Sequence, residues 1–133
     1  MITAVDSNVL LDLLTGDPAH GPRSAAATRE AAVEGALIAS TAVWAEVIGA
    51  YEDVRPVVMR LDRLGIDLVP DDREVAIAAG RVYRAYRRAG GTRRRILPDF
   101  LIGAHAMIHA DRLLTRDRGF YRTHFSRLTI LQP

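Results

Sequence analysis

The chain alternates between short apolar runs and longer stretches in which apolar residues recur every three or four positions. Ile2 to Val5 and Ala36 to Ala39 are runs of the first kind and read as buried strands, and "IDLVP", "RLLT" and "RLTILQ" supply three more. Between them, "AHGPRSAAATREAAVEG" is an alanine-rich helix closed by Gly35. "STAVWAEVIGAYE" is a helix capped by Ser40 or Thr41, and "VRPVVMRLDRLG" is one that stops at Gly65. From Asp71 the amphipathic pattern is strongest. Val75, Ala79, Val82 and Tyr86 form a stripe at about 100° per residue, with Arg81, Arg84 and Arg88 opposite. Paired glycines in "AGGTRRRIL" end that helix, and Pro98 opens "PDFLIGAHAMIHA" with proline in its favoured first turn. "RDRGFYRTHF" reads as a short helix or turn.

Strands separated by helices need crossover connections, and crossovers make strands parallel. The pattern therefore predicts the α/β class: a three-layer α/β/α sandwich around a mostly parallel central sheet of four to five strands. A chain of 133 residues suits one domain, residues 1–133, with room for a proper core. No stretch approaches the length of a membrane span, and the N-terminus lacks the basic flank and long apolar core of a secretory signal. A soluble cytoplasmic protein is the expectation.

Composition then narrows the chemistry. Without cysteine, thiol catalysis and thiolate metal sites are excluded, so any metal must be held by oxygen or imidazole. All 18 basic residues are arginine, a bias that fits a GC-rich genome. Their distribution says more: residues 1–80 carry 6 arginines against 13 acids, and residues 81–133 carry 12 against 3. Such asymmetry within one domain suggests a basic surface for a polyanion.

In a parallel α/β sheet the strand C-termini and the helix N-termini share one edge, where ligands bind. Four acids fall on that edge. Asp6 ends the first strand, in "AVDSN". Glu46 lies in the first turns of the helix after the second strand. Asp99 is second in the helix that leads into the fourth strand, and Asp117 lies two residues beyond Thr115, where that strand ends. Each has a local alternative. Asp6 and Asp99 suit helix N-termini, and Asp117 suits a turn. Glu46 differs, because "AVWAEVIGA" surrounds it with apolar residues and a buried carboxylate needs a partner. Gathered together, four carboxylates repel and raise one another's pKa unless a cation joins them. Oxygen-only ligation suits Mg²⁺ or Mn²⁺, and such ions activate water for phosphodiester hydrolysis. Ser7, Asn8 and Thr115 are then candidates to orient the carboxylates or the ion's water.

"VDSNVLLDLL", "STAVWAEV", "LPDFLIGAHA" and "LLTRDRGFYR" resemble, in order and spacing, the PIN-domain ribonucleases, and among them the VapC-type toxins of bacterial toxin-antitoxin pairs. The likeness spans nearly the whole chain, with no departure at the four acids. It implies a metal-dependent endoribonuclease with Asp6, Glu46, Asp99 and Asp117 as the acidic constellation, and Asn8 and Thr115 as the polar positions beside the first and last acids. It also implies a VapB-type antitoxin that neutralises the enzyme, an RNA substrate, and a toxin that forms a homodimer.

Other features rank lower. Arg84, Arg88, Arg93, Arg94, Arg95 and Arg116 are candidates for RNA phosphates, with a solvated helix face or an antitoxin surface as alternatives. His105 and His109 stand at i, i+4 without the glutamate of HExxH, which favours packing over zinc. Trp44, Tyr83 and Tyr86 fall on apolar stripes and read as packing residues. No GxxxxGK or GxGxxG occurs, so nucleotide-binding loops fall away. A haloacid-dehalogenase-like phosphatase also starts from an aspartate after its first strand, but that pattern wants a second aspartate where Asn8 stands. The remaining competitor is an interaction module that binds a partner without cutting anything.

Overall fold

The first strand, β1 (Ile2–Val5), delivers the chain directly into α1 (Ser7–Thr15) and α2 (Gly21–Glu34) before β2 (Ala36–Ala39) returns beside it. The same rhythm continues through α3 (Thr41–Gly49), α4 (Val54–Arg63), β3 (Ile66–Leu68), α5 (Arg73–Arg88), α6 (Leu97–His109), β4 (Arg112–Leu114), α7 (Arg118–His124) and β5 (Ile130–Leu131). This architecture comes from a computed structural model that describes residues 1–92 and 97–133. Every strand pair is parallel, and the sheet order is β3-β2-β1-β4-β5. The α/β expectation holds, with the upper of the two strand counts.

Local chemistry explains the element boundaries. Asp6, Ser40, Asp53, Asp72 and Asp117 cap α1, α3, α4, α5 and α7, each side chain accepting a backbone N–H of the first turn. Each cap of this kind contributes about 1 kcal/mol. Gly35 ends α2 as expected, but its backbone is extended (φ 162°). The reason for glycine there is space. A Cβ would lie 1.9 Å from the Met1 carbonyl oxygen, where β2 starts alongside β1. Helix α6 starts one residue earlier than the proline signal suggests, so Asp99 is third in it rather than second.

The core is continuous from the sheet into the helices. Val5, Leu37, Ile38, Leu113 and Leu114 meet Leu10, Val43, Val47, Leu61, Val75 and Ile102. Phe100 anchors an aromatic cluster, with the rings of Tyr83, Tyr86, Phe120 and His124 all within 5.4 Å of its own. That cluster joins the α5–α6 pair to α7 and so holds the start of α6 against the end of β4. Tyr83 and Tyr86 are thus packing residues, as their stripe predicts. Among the described residues, no helix is long and apolar enough to cross a membrane.

Candidate active site

The strand order places a topological switch beside β1. The chain leaves β1 for β2 on one side and later returns to β4 on the other, which opens a crevice at the strand C-termini. Asp6 stands at that point. Its backbone N–H donates to the Leu114 carbonyl at 3.0 Å, so the ends of β1 and β4 are tied together there. The Asp6 side chain is 3% exposed and receives four donors. Oδ1 accepts from the Ser7 backbone N–H (2.7 Å) and the Ser7 hydroxyl (3.3 Å). Oδ2 accepts from Asn8 Nδ2 (2.8 Å) and the Thr115 hydroxyl (2.6 Å). All four donors are neutral.

Asn8 and Thr115 complete a closed circuit. The Thr115 hydroxyl gives its one proton to Asp6 and accepts from Asn8 Nδ2 (3.2 Å) and the Asp117 backbone N–H (3.0 Å). Asn8 spends its second polar atom on the Arg116 backbone N–H (3.1 Å), which settles the orientation of its amide. Residues 109 positions apart are thereby fixed to one another. The loop carrying Asp117 is held against the end of β1 by backbone bonds as well as side chains.

The other acids approach this point without bonding to Asp6. Asp117 is exposed and caps α7, accepting from Phe120 N–H at 3.3 Å. Asp99 is half-buried in the first turn of α6. Glu46 corrects an expectation: it is exposed on α3, so no buried counter-charge is required. Helix α3 turns Val43 and Val47 inward, and Glu46 falls on the flank of that stripe. Its charge still reaches Asp6. Burial pushes the Asp6 carboxyl up, the Thr115 and Ser7 hydrogen bonds oppose the rise, and Glu46 adds to it. Tyr121 on α7 reports the rest: burial, then the charges of Asp6, Asp99 and Asp117, drive its ionisation far above the ordinary tyrosine range. Three aspartates therefore act on one hydroxyl and Glu46 acts on Asp6, so all four predicted acids belong to one electrostatic neighbourhood. Among the described residues, no three histidine or carboxylate side chains close into a ready-made metal cage. The donor set is oxygen and negative, which suits a hard divalent ion that keeps several of its own waters.

The PIN domain family matches residues 3–126, nearly the whole chain. The chain belongs to the PIN domain family. Solved structures with the same fold include VapBC2 from Rickettsia felis bound to a DNA fragment from its promoter. That match has a TM-score of 0.76 at 16% identity, covering 99% of this chain and 98% of that one. VapBC-1 from nontypeable Haemophilus influenzae aligns with a TM-score of 0.75 at 16% identity, over 99% and 98% of the two chains. A toxin-antitoxin complex from Klebsiella pneumoniae aligns with a TM-score of 0.66 at 20% identity, over 97% and 95%. No curated protein matches the sequence.

Two side chains that the sequence reading left aside, Asp12 and Tyr121, are buried near these residues. Asp12 is buried on α1 and accepts from the Ser24 hydroxyl at 2.7 Å. Arg116 grips Asp12 with two nitrogens, Nε at 2.8 Å and an Nη at 3.1 Å. Arg116 was expected as a phosphate contact, but its guanidinium is committed to Asp12, and the pair braces the Thr115–Asp117 loop against α1 and α2. The signal in the sequence was a single acid inside the apolar "NVLLDLL". Tyr121 had no such signal, since an aromatic beside Phe120 reads as core.

The remaining candidates fall elsewhere. Arg84 and Arg88 are exposed on α5, next to Arg87, which lies 5.9 Å above the Tyr83 ring. Arg93, Arg94 and Arg95 lie outside the described residues. His105 and His109 are packing and capping residues: Nε2 of buried His105 donates to the Val69 carbonyl at 2.9 Å, and His109 meets Asp72 at 2.9 Å.

Proposed function

We propose that this PIN domain is a metal-dependent endoribonuclease, the toxin of a type II toxin-antitoxin pair, neutralised by a VapB-type antitoxin. PIN domains are nucleases and generally use divalent metal ions. One observation carries the assignment of the site. Among the described residues, Asp6 is a buried carboxylate with only neutral hydrogen-bond donors, set among three further acids at the switch point of the sheet. Such an arrangement is unfavourable alone and becomes favourable with a cation. Asp6, Asp99, Asp117 and Glu46 would hold Mg²⁺, with Mn²⁺ as a substitute. The bound ion would act as a Lewis acid and lower the pKa of its water.

The chain's own groups supply orientation. Thr115 and Asn8 lock Asp6 in one rotamer, and Ser7 caps its other oxygen, so the carboxylate presents the same geometry to every substrate. Glu46 and Asp117, both exposed, face the solvent from which RNA would arrive. Hydrolysis adds water across a P–O bond, and the departing oxygen must leave with a proton. Arg84 and Arg88, exposed on α5, would hold phosphates of the RNA. The antitoxin partner is inferred from the likeness to chains solved as VapBC and toxin-antitoxin complexes. Homodimerisation, a cytoplasmic site of action and a single-domain organisation belong to the same reading.

The test pairs binding with cleavage. Mg²⁺ or Mn²⁺ is titrated calorimetrically into wild type, Asp6→Asn and Asp99→Asn, each checked for folding by circular dichroism, and cleavage of a mixed RNA pool is followed alongside. Binding and cleavage in wild type, both lost in the folded variants, supports the reading. A wild type that neither binds an ion nor cuts RNA points instead to an interaction module.

A further inference from the structure

Arg116, the residue between Thr115 and Asp117, is held twice by one face of α1. Asn8 and Asp12 stand one turn apart on that helix. Asn8 Oδ1 accepts the Arg116 backbone N–H (3.1 Å), and the Asp12 carboxylate accepts Nε (2.8 Å) and an Nη (3.1 Å) of its guanidinium. Asp6 caps this same helix. The helix that follows the first acid thus grips the neighbour of the last one by main chain and by side chain. The Asp117 N–H closes the connection by donating to Thr115, which donates to Asp6. Asp12 is 4% exposed, and the Ser24 hydroxyl of α2 supports its Oδ2 at 2.7 Å. A planar fork on a buried carboxylate fixes direction as well as distance. For stability alone, apolar packing is often at least as good as a buried ion pair. What the pair adds is a fixed direction for the loop that ends in Asp117.

We infer that Arg116 is a positioning residue: through Asp12 it fixes Asp117 relative to Asp6, and so sets the affinity of the carboxylate site for its divalent ion. The inference rests on the metal-dependent reading above and adds to it the Asp12–Arg116 pair, which acts through the position of the acids and not on the RNA. The sign of the effect separates position from charge. Arg116 is a cation next to an acid of the site, so its loss, acting by charge alone, would tighten Mn²⁺ binding. Acting through position, its loss weakens that binding.

The experiment titrates Mn²⁺ calorimetrically into wild type, Arg116→Met and the double variant Asp12→Asn/Arg116→Met, with thermal melts of each in the ion-free state. Arg116→Met strands the buried Asp12 charge and should lower Tm. The double variant removes that charge, keeps an acceptor for Ser24 and keeps the net charge of wild type, so its Tm should recover. Mn²⁺ affinity should nevertheless fall roughly tenfold or more in both variants, the usual loss for an outer partner of a metal site. Affinity at or above the wild-type level in the folded double variant overturns the inference and leaves the metal-dependent reading standing; weakened RNA cleavage alongside it would return Arg116 to the phosphate contacts. Absence of Mn²⁺ binding by wild type, with or without RNA, overturns both. Should the double variant not fold, Arg116→Lys takes its place, since lysine keeps the charge as a single point without the fork. Wild-type Mn²⁺ affinity in Arg116→Lys overturns the inference equally, and a fall supports it.

Discussion

Two regions of this PIN domain gather acids, and they surround them with different partners. At the C-termini of β1 and β4, Asp6 is surrounded by neutral donors and further carboxylates. At the end of β3, Asp71 and Asp72 face His105 and His109, and the two imidazole rings lie 5.0 Å apart. Burial pushes the carboxyls of both Asp6 and Asp71 up, but the strongest opposition at Asp71 comes from His105, whereas at Asp6 it comes from an uncharged hydroxyl. The β3 cluster carries imidazole rings of its own beside its carboxylates. Among the described residues, Asp6 in the β1/β4 cluster has only neutral hydrogen-bond donors. A perturbed carboxylate does not by itself mark a site; the source of its compensation does.

Asp6→Asn should produce the largest separation between the two regions. The substitution keeps the shape and removes the charge, so Mn²⁺ affinity should fall by about a hundredfold or more and RNA cleavage should disappear, read by calorimetry and gel assay. Arg116→Ala comes next. It leaves the buried Asp12 carboxylate with the Ser24 hydroxyl alone, at a cost of about 2–3 kcal/mol. This is below the range for a fully enclosed pair because the arginine side chain is about one-third exposed. Chemical denaturation measures that loss, and cleavage should fall with it as the Thr115–Asp117 loop loosens.

Asp71→Asn should cost about 1 kcal/mol or less and leave Mn²⁺ affinity and cleavage at wild-type levels. A drop in either would join the two regions that the comparison separates. The smallest effect is a pH dependence at His105. Burial holds its pKa below the ordinary 6.5, so the unfolded chain takes up this proton before the folded one does. Stability from this group is complete above 6.5 and declines as pH falls from there toward the lower folded value. Tm measured across that window should fall in wild type and flatten in His105→Gln, with Asp71 acting in the opposite direction at more acidic pH because its folded pKa is raised.

Much of this was legible in the chain. Strand positions followed from apolar runs bounded by turns, and the helices from stripes and capping residues, because both signals are local. The four acids could be placed on one edge because parallel crossovers leave few alternatives. Glu46 was misjudged for a related reason. Neighbours in sequence were taken as neighbours in space, whereas a helix turns successive residues to different faces, and α3 directs Glu46 outward.

Local patterns record which face of an element is apolar, and that was sufficient for the α/β class and for the edge where Asp6 stands. They do not record what covers that face. The strand order that sets β4 beside β1, the bond from Thr115 to Asp6 across 109 positions, the grip of Arg116 on Asp12, and the burial of Tyr121 beside Asp6 depend on pairings between distant segments. Those pairings were selected by packing of the whole core, because a hydrogen bond or a buried charge acquires its energy only from the groups that surround it.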